Sequence, residues 1–274
     1  MKLGIVLSTQ HSSFSAIPFK EGLEENITKI KKLGYDGVEL AIRNPELLDV
    51  EWLKSLIEKN NLPVIAIQTG QVFLEEGLSF TDPDRDIRRK AIERIKSLVR
   101  LAKTLNALVI IGLVRGKRKK KIPAEQAEQW LVEAFRECAS ENKDVKLVIE
   151  PINRYETDLI NNLESGLDIL EKVNMKNVGI LLDTFHMNIE EPSISESIIM
   201  AKANLFHFHI ADSNRWYPGA GHINFTEIVN TLYQLGYQGF MTAEILPLPD
   251  PDTAAIKTIE YMRKLEGRNN GVSY

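Results

Sequence analysis

Apolar residues occur along the chain in two alternating patterns, as short continuous runs and as longer amphipathic segments. The short runs are rich in β-branched residues, which predicts strands that are buried on both faces. The longer segments have apolar residues three and four positions apart, which predicts helices that pack on one face. The predicted strands are residues 3–7, 37–41, 64–68, 107–111, 145–149, 178–183, 205–212 and 239–244. The predicted helices are residues 20–33, 50–60, 83–104, 123–141, 163–173, 194–202, 225–236 and 251–265.

Eight strands that alternate with eight helices predict an α/β fold, a single (β/α)8 TIM barrel. The length of 274 residues fits this fold, since such barrels typically have about 250 residues. We expect one barrel domain over residues 1–267 and a polar C-terminal tail over residues 268–274. A doubly wound open sheet is the competing fold, but Ser8-Thr-Gln-His follows the first strand, where a dinucleotide-binding protein has glycines. No nucleotide cofactor is therefore expected.

The charge balance and the cysteine content limit which binding partners and which cellular compartment we expect. A net charge of -4 gives no general attraction to nucleic acid or to an anionic membrane, so neither is an expected partner. Cys138 is the only cysteine, which excludes an internal disulfide and a cysteine-rich metal site. The first residues predict a strand rather than a signal peptide, and no apolar run approaches the roughly 20 residues that a membrane-spanning helix needs. We expect a cytoplasmic protein.

Four predicted strands end on a side chain that can bind a metal ion or transfer a proton. These side chains are Glu150, Asp183, His209 and Glu244. Because the carboxyl ends of barrel strands meet at one face, we expect the four to form a ring there. Three clustered carboxylates repel one another unless a positive charge compensates them. A divalent cation does so, and oxygen ligands with one imidazole suit Mn²⁺ or Mg²⁺, with Co²⁺ or Zn²⁺ as alternatives.

The residues around these strand ends form four motifs. The motifs are Ile149-Glu-Pro-Ile-Asn-Arg-Tyr-Glu156, Leu182-Asp-Thr-Phe-His-Met187, His209-Ile-Ala-Asp-Ser-Asn-Arg215 followed by Pro218-Gly-Ala-Gly221, and Ala243-Glu244. Taken together and in this order, they resemble the motifs of ketose 3-epimerases of the D-tagatose 3-epimerase and D-psicose 3-epimerase type. These enzymes belong to the xylose isomerase-like barrel superfamily, and the resemblance covers essentially the whole chain.

The resemblance implies an isomerase that inverts C3 of a ketose through a cis-enediolate. It implies one divalent ion, usually Mn²⁺, bound by the four strand-end residues. Glu150 and Glu244 would also be the acid and base that exchange the C3 proton. Glu156, His186 and Arg215 would bind the substrate oxygens around C1 to C3. Dimers and tetramers are common among such enzymes, so a homo-oligomer is expected.

Other functions remain open at this stage. Hydroxypyruvate isomerase and pentulose-5-phosphate 3-epimerase would use the same metal site with a different far wall of the pocket. A hydrolase resembling endonuclease IV would share the pair Asp183 and His186, but it needs further histidines that Gln68 and residues 107–111 do not provide. A non-enzymatic sugar-binding relative is disfavoured by the intact pair of glutamates, Glu150 and Glu244.

Several further residues have a structural and a functional interpretation. The basic run over residues 115–121 is expected to be a solvated loop, with phosphate binding as the alternative. It also departs from the epimerases, whose loop here tends to carry an aromatic residue. His207 is expected in the core. Glu39 either contacts the substrate or orients a metal ligand, with a structural ion pair as the alternative. The long connection over residues 69–82 is a candidate lid.

Overall fold

Eight parallel strands form the centre of the computed structural model, which describes residues 1–269 with side chains through residue 266. They close into a barrel in chain order, because β1 pairs with both β2 and β8. The strands are β1 Lys2–Ser8, β2 Gly37–Ala41, β3 Val64–Gln68, β4 Leu108–Ile111, β5 Leu147–Ile149, β6 Val178–Asp183, β7 Leu205–Ile210 and β8 Phe240–Ala243. The predicted (β/α)8 barrel is confirmed.

Ten α-helices connect and surround these strands within residues 1–269. They are α1 Leu23–Leu33, α2 Val50–Asn60, α3 Gly70–Glu76, α4 Arg85–Leu105, α5 Ala124–Glu141, α6 Leu163–Val173, α7 Thr184–Glu190, α8 Ile194–Ala201, α9 Phe225–Gln234 and α10 Pro251–Asn269. In α4 the buried positions Ala91, Ile95, Leu98 and Ala102 follow one another at helical spacing, and this stripe packs the helix onto the barrel. No helix in the described part of the chain is long and apolar enough to cross a membrane.

The structure differs from the sequence-based expectation in the short helices and at some helix ends. Helix α3 lies within the connection over residues 69–82, and His186 lies on α7, and the sequence pattern predicted neither helix. Asp82 and Pro83 stand where a cap and a first helical residue are expected for the predicted helix over residues 83–104. Helix α4 instead begins at Arg85 and is capped by Asp84, which accepts a 2.8 Å hydrogen bond from the Asp86 amide. Helix α10 extends to Asn269, and residues 270–274 of the expected tail lie outside the described residues.

The barrel interior has an apolar layer with a polar layer above it. Ala66, Ile110, Val148 and Leu181 form a separate apolar cluster on four neighbouring strands. Side chains two positions apart on a strand point to the same side. The residues two positions further on are Gln68, Gly112, Glu150 and Asp183, which therefore face the interior at the carboxyl ends of these strands. The apolar layer is thus a floor for a polar site at the mouth of the barrel.

Two β-bulges adjust the direction of side chains in this interior. The ladder between β2 and β3 shifts between Val38 and Glu39, which leaves Ile65 unpaired. The Ile65 side chain fills the space beside Gly4 and Gly37, where an added Cβ would come within 2.5 and 2.7 Å of it. A second shift in the ladder of β6 and β7 lies between Ile180 and Leu181. Bulges commonly re-aim side chains next to functional sites, and the first one here precedes Glu39 directly.

Candidate metal centre and active site

The four strand-end residues come together at the mouth of the barrel. Glu150, Asp183, His209 and Glu244 each offer one ligand atom, and these atoms all lie within 4.8 Å of one another. All four residues are buried. They come from four consecutive strand ends, from β5 to β8, so the closed sheet itself brings them together. The ring expected from the sequence therefore exists as a cluster of three carboxylates and one imidazole.

Two atoms of this cluster show that it fits a cation. Asp183 Oδ2 and His209 Nδ1 lie 3.8 Å apart, and both are buried without a hydrogen-bond partner among the described residues. Buried polar atoms are nearly always bonded, so such a pair requires an explanation. A divalent ion between them would be bound by a carboxylate oxygen and an imidazole nitrogen, which are ordinary ligands for such ions. The donor set therefore fits a divalent metal.

The electrostatics of the cluster favour a bound positive charge. Burial and the neighbouring charge of Glu244 raise the pKa of Glu150 well above its usual range. Burial also raises the pKa of Asp183 and the pKa of Glu244. Burial alone would lower the pKa of His209, but the nearby Glu39 carboxylate raises it to about 10. Positive charge at this cluster, from protons or from a cation, therefore reduces the repulsion between the carboxylates.

Glu39 fixes the orientation of the imidazole in the cluster. His207 Nε2 lies 2.8 Å from Glu39 Oε2, and His209 Nε2 lies 3.1 Å from Glu39 Oε1. Burial alone would raise the pKa of Glu39, but the two imidazoles lower it to about 2, so it remains a carboxylate. Because Nε2 of His209 bonds Glu39, its Nδ1 faces the other three residues of the cluster. Glu39 therefore forms a buried ion pair with a candidate metal ligand, and both interpretations of this residue remain compatible with the contact.

Glu244 is fixed at both oxygens. The Gln68 amide donates a 2.6 Å hydrogen bond to its Oε1, and the Arg215 guanidinium donates a 2.9 Å bond to its Oε2. A second nitrogen of Arg215 donates a 2.8 Å bond to Glu156 Oε1. The three carboxylates around Arg215, with Glu244 first, raise its pKa above the usual value despite its burial. Arg215 therefore connects a candidate metal ligand to a candidate substrate-binding residue.

Glu156 and His186 are joined through Asn153. The Asn153 amide nitrogen lies 3.0 Å from Glu156 Oε1 and 2.8 Å from His186 Nδ1. Burial and then the Arg215 charge lower the pKa of His186 well below its usual value, so the imidazole is neutral. Its Nε2 lies 4.0 Å from Glu150 Oε1. The expected substrate-binding residues thus lie beside the cluster and are held by one another.

These residues line a cleft that opens at the barrel mouth. The cleft is lined by Glu150, Glu156, His186, Arg215 and Glu244, with Gln68, Thr69, Gly70, Gln71 and Gly112 among the polar or small residues and Phe14, Leu74, Leu113 and Ile152 among the apolar ones. At Gly112 an added Cβ would lie 2.6 Å from Glu150 Oε2. A glycine at this position therefore leaves room for the Glu150 carboxylate.

The loop that carries Arg215 is built around Asp212. The buried Asp212 carboxylate accepts hydrogen bonds from the backbone amides of Ser213, Gly219 and Ile223 at 2.8, 2.7 and 3.1 Å. Arg215 itself has a positive φ of 62°, which is uncommon for a residue other than glycine. Its guanidinium also lies 4.7 Å from the centre of the Phe185 ring. Backbone and side-chain contacts together direct Arg215 into the cleft.

The expectation for the basic run over residues 115–121 is wrong at its first residue. The Arg115 side chain is completely buried rather than solvated. Lys119 instead pairs outside the cleft with Asp82 at 2.9 Å, and the Arg118 amide bonds Asp158. None of the seven residues lines the cleft, so the run offers no site there for a substrate phosphate.

The family described as "Xylose isomerase-like TIM barrel" matches residues 27–265 of this chain, which include every residue of the metal cluster. The chain belongs to the xylose isomerase-like TIM barrel family. The family that the motifs suggested is thereby confirmed, and the closed barrel with its polar mouth is the architecture that the family name describes.

Proteins with named activities match most of the chain. It is 34% identical over 227 residues to the D-psicose 3-epimerase of Ruminiclostridium cellulolyticum, covering 80% of this chain and 76% of the relative. It is 28% identical over 278 residues to the 3-dehydro-D-guloside 4-epimerase of Escherichia coli, covering 96% and 99%. The crystal structure of D-psicose 3-epimerase from Clostridium cellulolyticum with D-tagatose superposes with a TM-score of 0.82 at 26% identity, covering 97% and 99%. The resemblance to ketose 3-epimerases is confirmed.

Some residues of the site were not expected from the sequence. Gln68 ends β3 in the same way as the carboxylates end their strands, and this position was a usable signal. Asn153 stands inside the first motif, but no role was assigned to it. Arg115 gave no such signal, since nothing in a run of cations distinguishes its first residue. His11, His222 and Trp216, which lie in the connections after β1 and β7, do not line the cleft.

Proposed function

We propose that this protein is a divalent-metal-dependent epimerase that inverts C3 of a ketose through a cis-enediolate. The observation that carries the proposal is the cluster of Glu150, Asp183, His209 and Glu244 at the mouth of the barrel, with two of its buried atoms unpartnered among the described residues. The matches to named ketose 3-epimerases support the same reaction class. The site residues and their roles are part of the proposal.

The four cluster residues would hold the metal, and we propose Mn²⁺, with Mg²⁺, Co²⁺ or Zn²⁺ as alternatives. When bound, the ion supplies a Lewis acid that polarises the ketose carbonyl and orients the sugar. The protein contributes the position of each ligand, with Glu39 aligning His209 and the Gln68 amide aligning Glu244.

The two glutamates would move the proton at C3. Glu150 and Glu244 come from β5 and β8, which are separated around the barrel by β6 and β7, so their carboxylates reach the cleft from different sides. One carboxylate removes the C3 proton, and the other returns a proton to the opposite face of the planar intermediate, which inverts the configuration. The Glu150 carboxylate makes no hydrogen bond with the described residues and is free to accept a proton.

Glu156, His186 and Arg215 would bind the oxygens around C1 to C3. Arg215 is positively charged and its guanidinium is held in place, so it would stabilise negative charge that develops on the enediolate oxygens. His186 is neutral, and its Nε2 points towards Glu150, where it would bond a substrate hydroxyl. Such a set would fix the ketose with C3 between the two glutamates.

A related function fits the same site, namely epimerisation at C4 of a 3-keto sugar. The observation in its favour is the match over 96% of this chain and 99% of the Escherichia coli 3-dehydro-D-guloside 4-epimerase. Proton exchange next to a carbonyl is common to both reactions, so the residues would have the same roles. Phosphorylated substrates are disfavoured, because Arg215 is the only lysine or arginine among the lining residues of the described chain and it already bonds two carboxylates.

A hydrolase resembling endonuclease IV is also disfavoured, because β3 and β4 end in Gln68 and Ile111 and supply no further histidine.

We further propose that the protein acts in the cytoplasm as a homo-oligomer, a dimer or a tetramer. Gel filtration with light scattering would measure the oligomeric state.

The decisive experiment is a substrate panel in deuterated water with Mn²⁺. Free ketohexoses, ketopentoses, their phosphates and a 3-keto glycoside are incubated with the purified protein, and deuterium is located by NMR. The proposal expects label at C3 of a free ketose together with the C3 epimer. Label at C4 of the 3-keto glycoside alone would establish the related function instead, and absence of label from every sugar would reject both.

A further inference from the structure

Arg115 is the largest fully buried side chain of the described residues. It begins the basic run, whose other cations are exposed or half-buried, so one cation of the run enters the protein interior. Burying a guanidinium is costly unless its donors are bonded, and a single hydrophobic residue would fill the same space without that cost. The position of Arg115 therefore requires an explanation from its contacts.

The guanidinium bonds the main chain on both sides of one loop. It donates a hydrogen bond to the carbonyl oxygen of Glu150, where β5 ends, and a 3.3 Å bond to the carbonyl oxygen of Ile160. The Ile152 amide also donates to the Ile160 carbonyl, at 3.0 Å. These bonds close the neck of a loop that runs from residue 150 to residue 160. Arg115 thus fixes the peptide from which the Glu150 side chain projects.

The neck of this loop contains a strained residue. Ile160 has a positive φ of 56°, a conformation that is a genuine outlier for a β-branched residue. Such a conformation persists only when the surrounding contacts hold it. The bond from Arg115 is one of these contacts, and a 3.0 Å bond from Thr157 Oγ1 to the Gly116 carbonyl joins the two loops further.

The charge of Arg115 adds to this geometry. An arginine remains protonated in proteins, so it places a permanent positive charge next to the Glu150 peptide in a region without solvent. The other arginine of the site, Arg215, is bonded to Glu244 and Glu156. The two arginines therefore serve different parts of the carboxylate cluster.

We propose that Arg115 is a positioning residue that acts through the main chain of Glu150 and holds the Glu150 carboxylate at the place where it binds metal and transfers a proton. This inference rests on the proposed function. It assigns to the basic run a role in catalysis that does not involve contact with the substrate. Glu156 lies on the same loop, but Arg215, which lies outside this loop, also bonds it, so substrate binding depends less on Arg115.

The test compares Arg115→Met, Arg115→Lys and the exposed control Lys120→Met, each measured for Mn²⁺ affinity without substrate and for kcat and KM at saturating Mn²⁺. Displacing a ligand-bearing peptide is expected to cost about tenfold or more in Mn²⁺ affinity and in kcat for Arg115→Met. KM should change by less than about threefold, since Glu156 keeps its partners. Arg115→Lys should lose less Mn²⁺ affinity and less kcat than Arg115→Met, because lysine retains the charge and can bond one carbonyl. Lys120→Met should have the same Mn²⁺ affinity, kcat and KM as the native protein.

Each other outcome has a definite meaning. Native Mn²⁺ affinity and kcat in folded Arg115→Met, even with a lower melting temperature, would show a purely structural role and overturn the inference. If Arg115→Met does not fold, native values in Arg115→Lys overturn it equally. If the native protein binds Mn²⁺ but converts no sugar of the panel, the proposed function fails, and the Mn²⁺ affinities of the variants still decide the role of Arg115.

Discussion

The Gln68 side-chain amide bonds Glu244 across the barrel interior, with 2.6 Å between Gln68 Nε2 and Glu244 Oε1. Their strands, β3 and β8, are not neighbours in the sheet, so the contact spans the barrel mouth. Arg215 bonds the other oxygen of Glu244, whereas the Glu150 carboxylate makes no hydrogen bond with the described residues. Hydrogen bonds therefore restrain both carboxylate oxygens of Glu244, whereas none restrains the carboxylate of Glu150.

Replacing Gln68 tests this restraint. Gln68→Met keeps the side-chain length but removes the donor, so one oxygen of Glu244 loses its partner. We expect kcat to fall about tenfold or more, as is usual when a residue that orients a metal ligand is lost. Steady-state kinetics at saturating Mn²⁺ measures the effect, with the exposed Gln234→Met as control. An unchanged kcat in Gln68→Met would mean that Arg215 alone positions Glu244.

The glutamates themselves are tested by proton exchange. Glu150→Gln and Glu244→Gln keep the shape of the side chain but remove the group that carries the proton. Each variant should fail to invert C3 in deuterated water, because inversion needs a base on one face of the planar intermediate and an acid on the other. The exposed Glu260→Gln should invert C3 normally. Near-native turnover in either site variant would refute its assigned role.

Gly112 should be sensitive to a single added methyl group. In Gly112→Ala the new Cβ would lie 2.6 Å from Glu150 Oε2, so the carboxylate must move. A displacement of about 1 Å in a reacting group can cost roughly a hundredfold in rate, and we expect kcat to fall by between ten and about a hundredfold. Gly70→Ala is the matched control, since Gly70 also lines the cleft and its added Cβ meets nothing within 4 Å. Equal kinetics for the two variants would contradict the close contact.

Metal binding should stabilise the fold. A ligand at a hundred times its Kd stabilises the native state by about 2.7 kcal/mol. For a protein of this size we expect a rise in Tm of roughly 5–10 °C between chelator-treated protein and protein with excess Mn²⁺, at about 2–4 °C for each kcal/mol. Differential scanning calorimetry measures the rise, and Asp183→Asn should largely abolish it because the variant lacks one ligand oxygen. A Tm rise of the same size in Asp183→Asn would show that the ion binds at another site.

Glu39 should control the affinity for the metal without touching it. In Glu39→Gln an amide replaces the carboxylate that bonds both His207 and His209, and it cannot accept a hydrogen bond from both rings through two oxygens. We expect Mn²⁺ affinity to fall by about 10–100-fold, the usual effect of losing such a partner. Isothermal titration calorimetry measures it, with the exposed Glu51→Gln as control. Native Mn²⁺ affinity in Glu39→Gln would mean that Glu39 only bonds the two buried histidines and does not influence metal binding.

Sequence patterns were informative where the signal was local. A run such as Val178–Asp183 predicts both a buried strand and the residue at its end, and barrel closure then brings such ends together. The seven-residue helices α3 and α7 were missed because they are too short to show an apolar period.

Burial that depends on distant segments could not be read from the sequence. Arg115 is covered because the loop from residue 150 to residue 160 folds over it, about 40 positions along the chain. The sequence shows that Gln68 stands at a strand end, but the role of its neutral amide is defined only by Glu244 on the opposite side of the barrel. Local composition identifies ligands and strands, whereas the residues that hold those ligands in place emerge from contacts between strands that are far apart in sequence.

The two unbonded atoms at the barrel mouth, Asp183 Oδ2 and His209 Nδ1, would make the stability of the protein depend on the supply of metal ions. A buried polar atom without a partner costs about 1–3 kcal/mol, so protein without a metal ion would open more often than protein with one bound. Proteases degrade the opened form, and a change of 1–2 kcal/mol alters cellular abundance several-fold. Metal supply would then set how long each molecule survives as well as how fast it works.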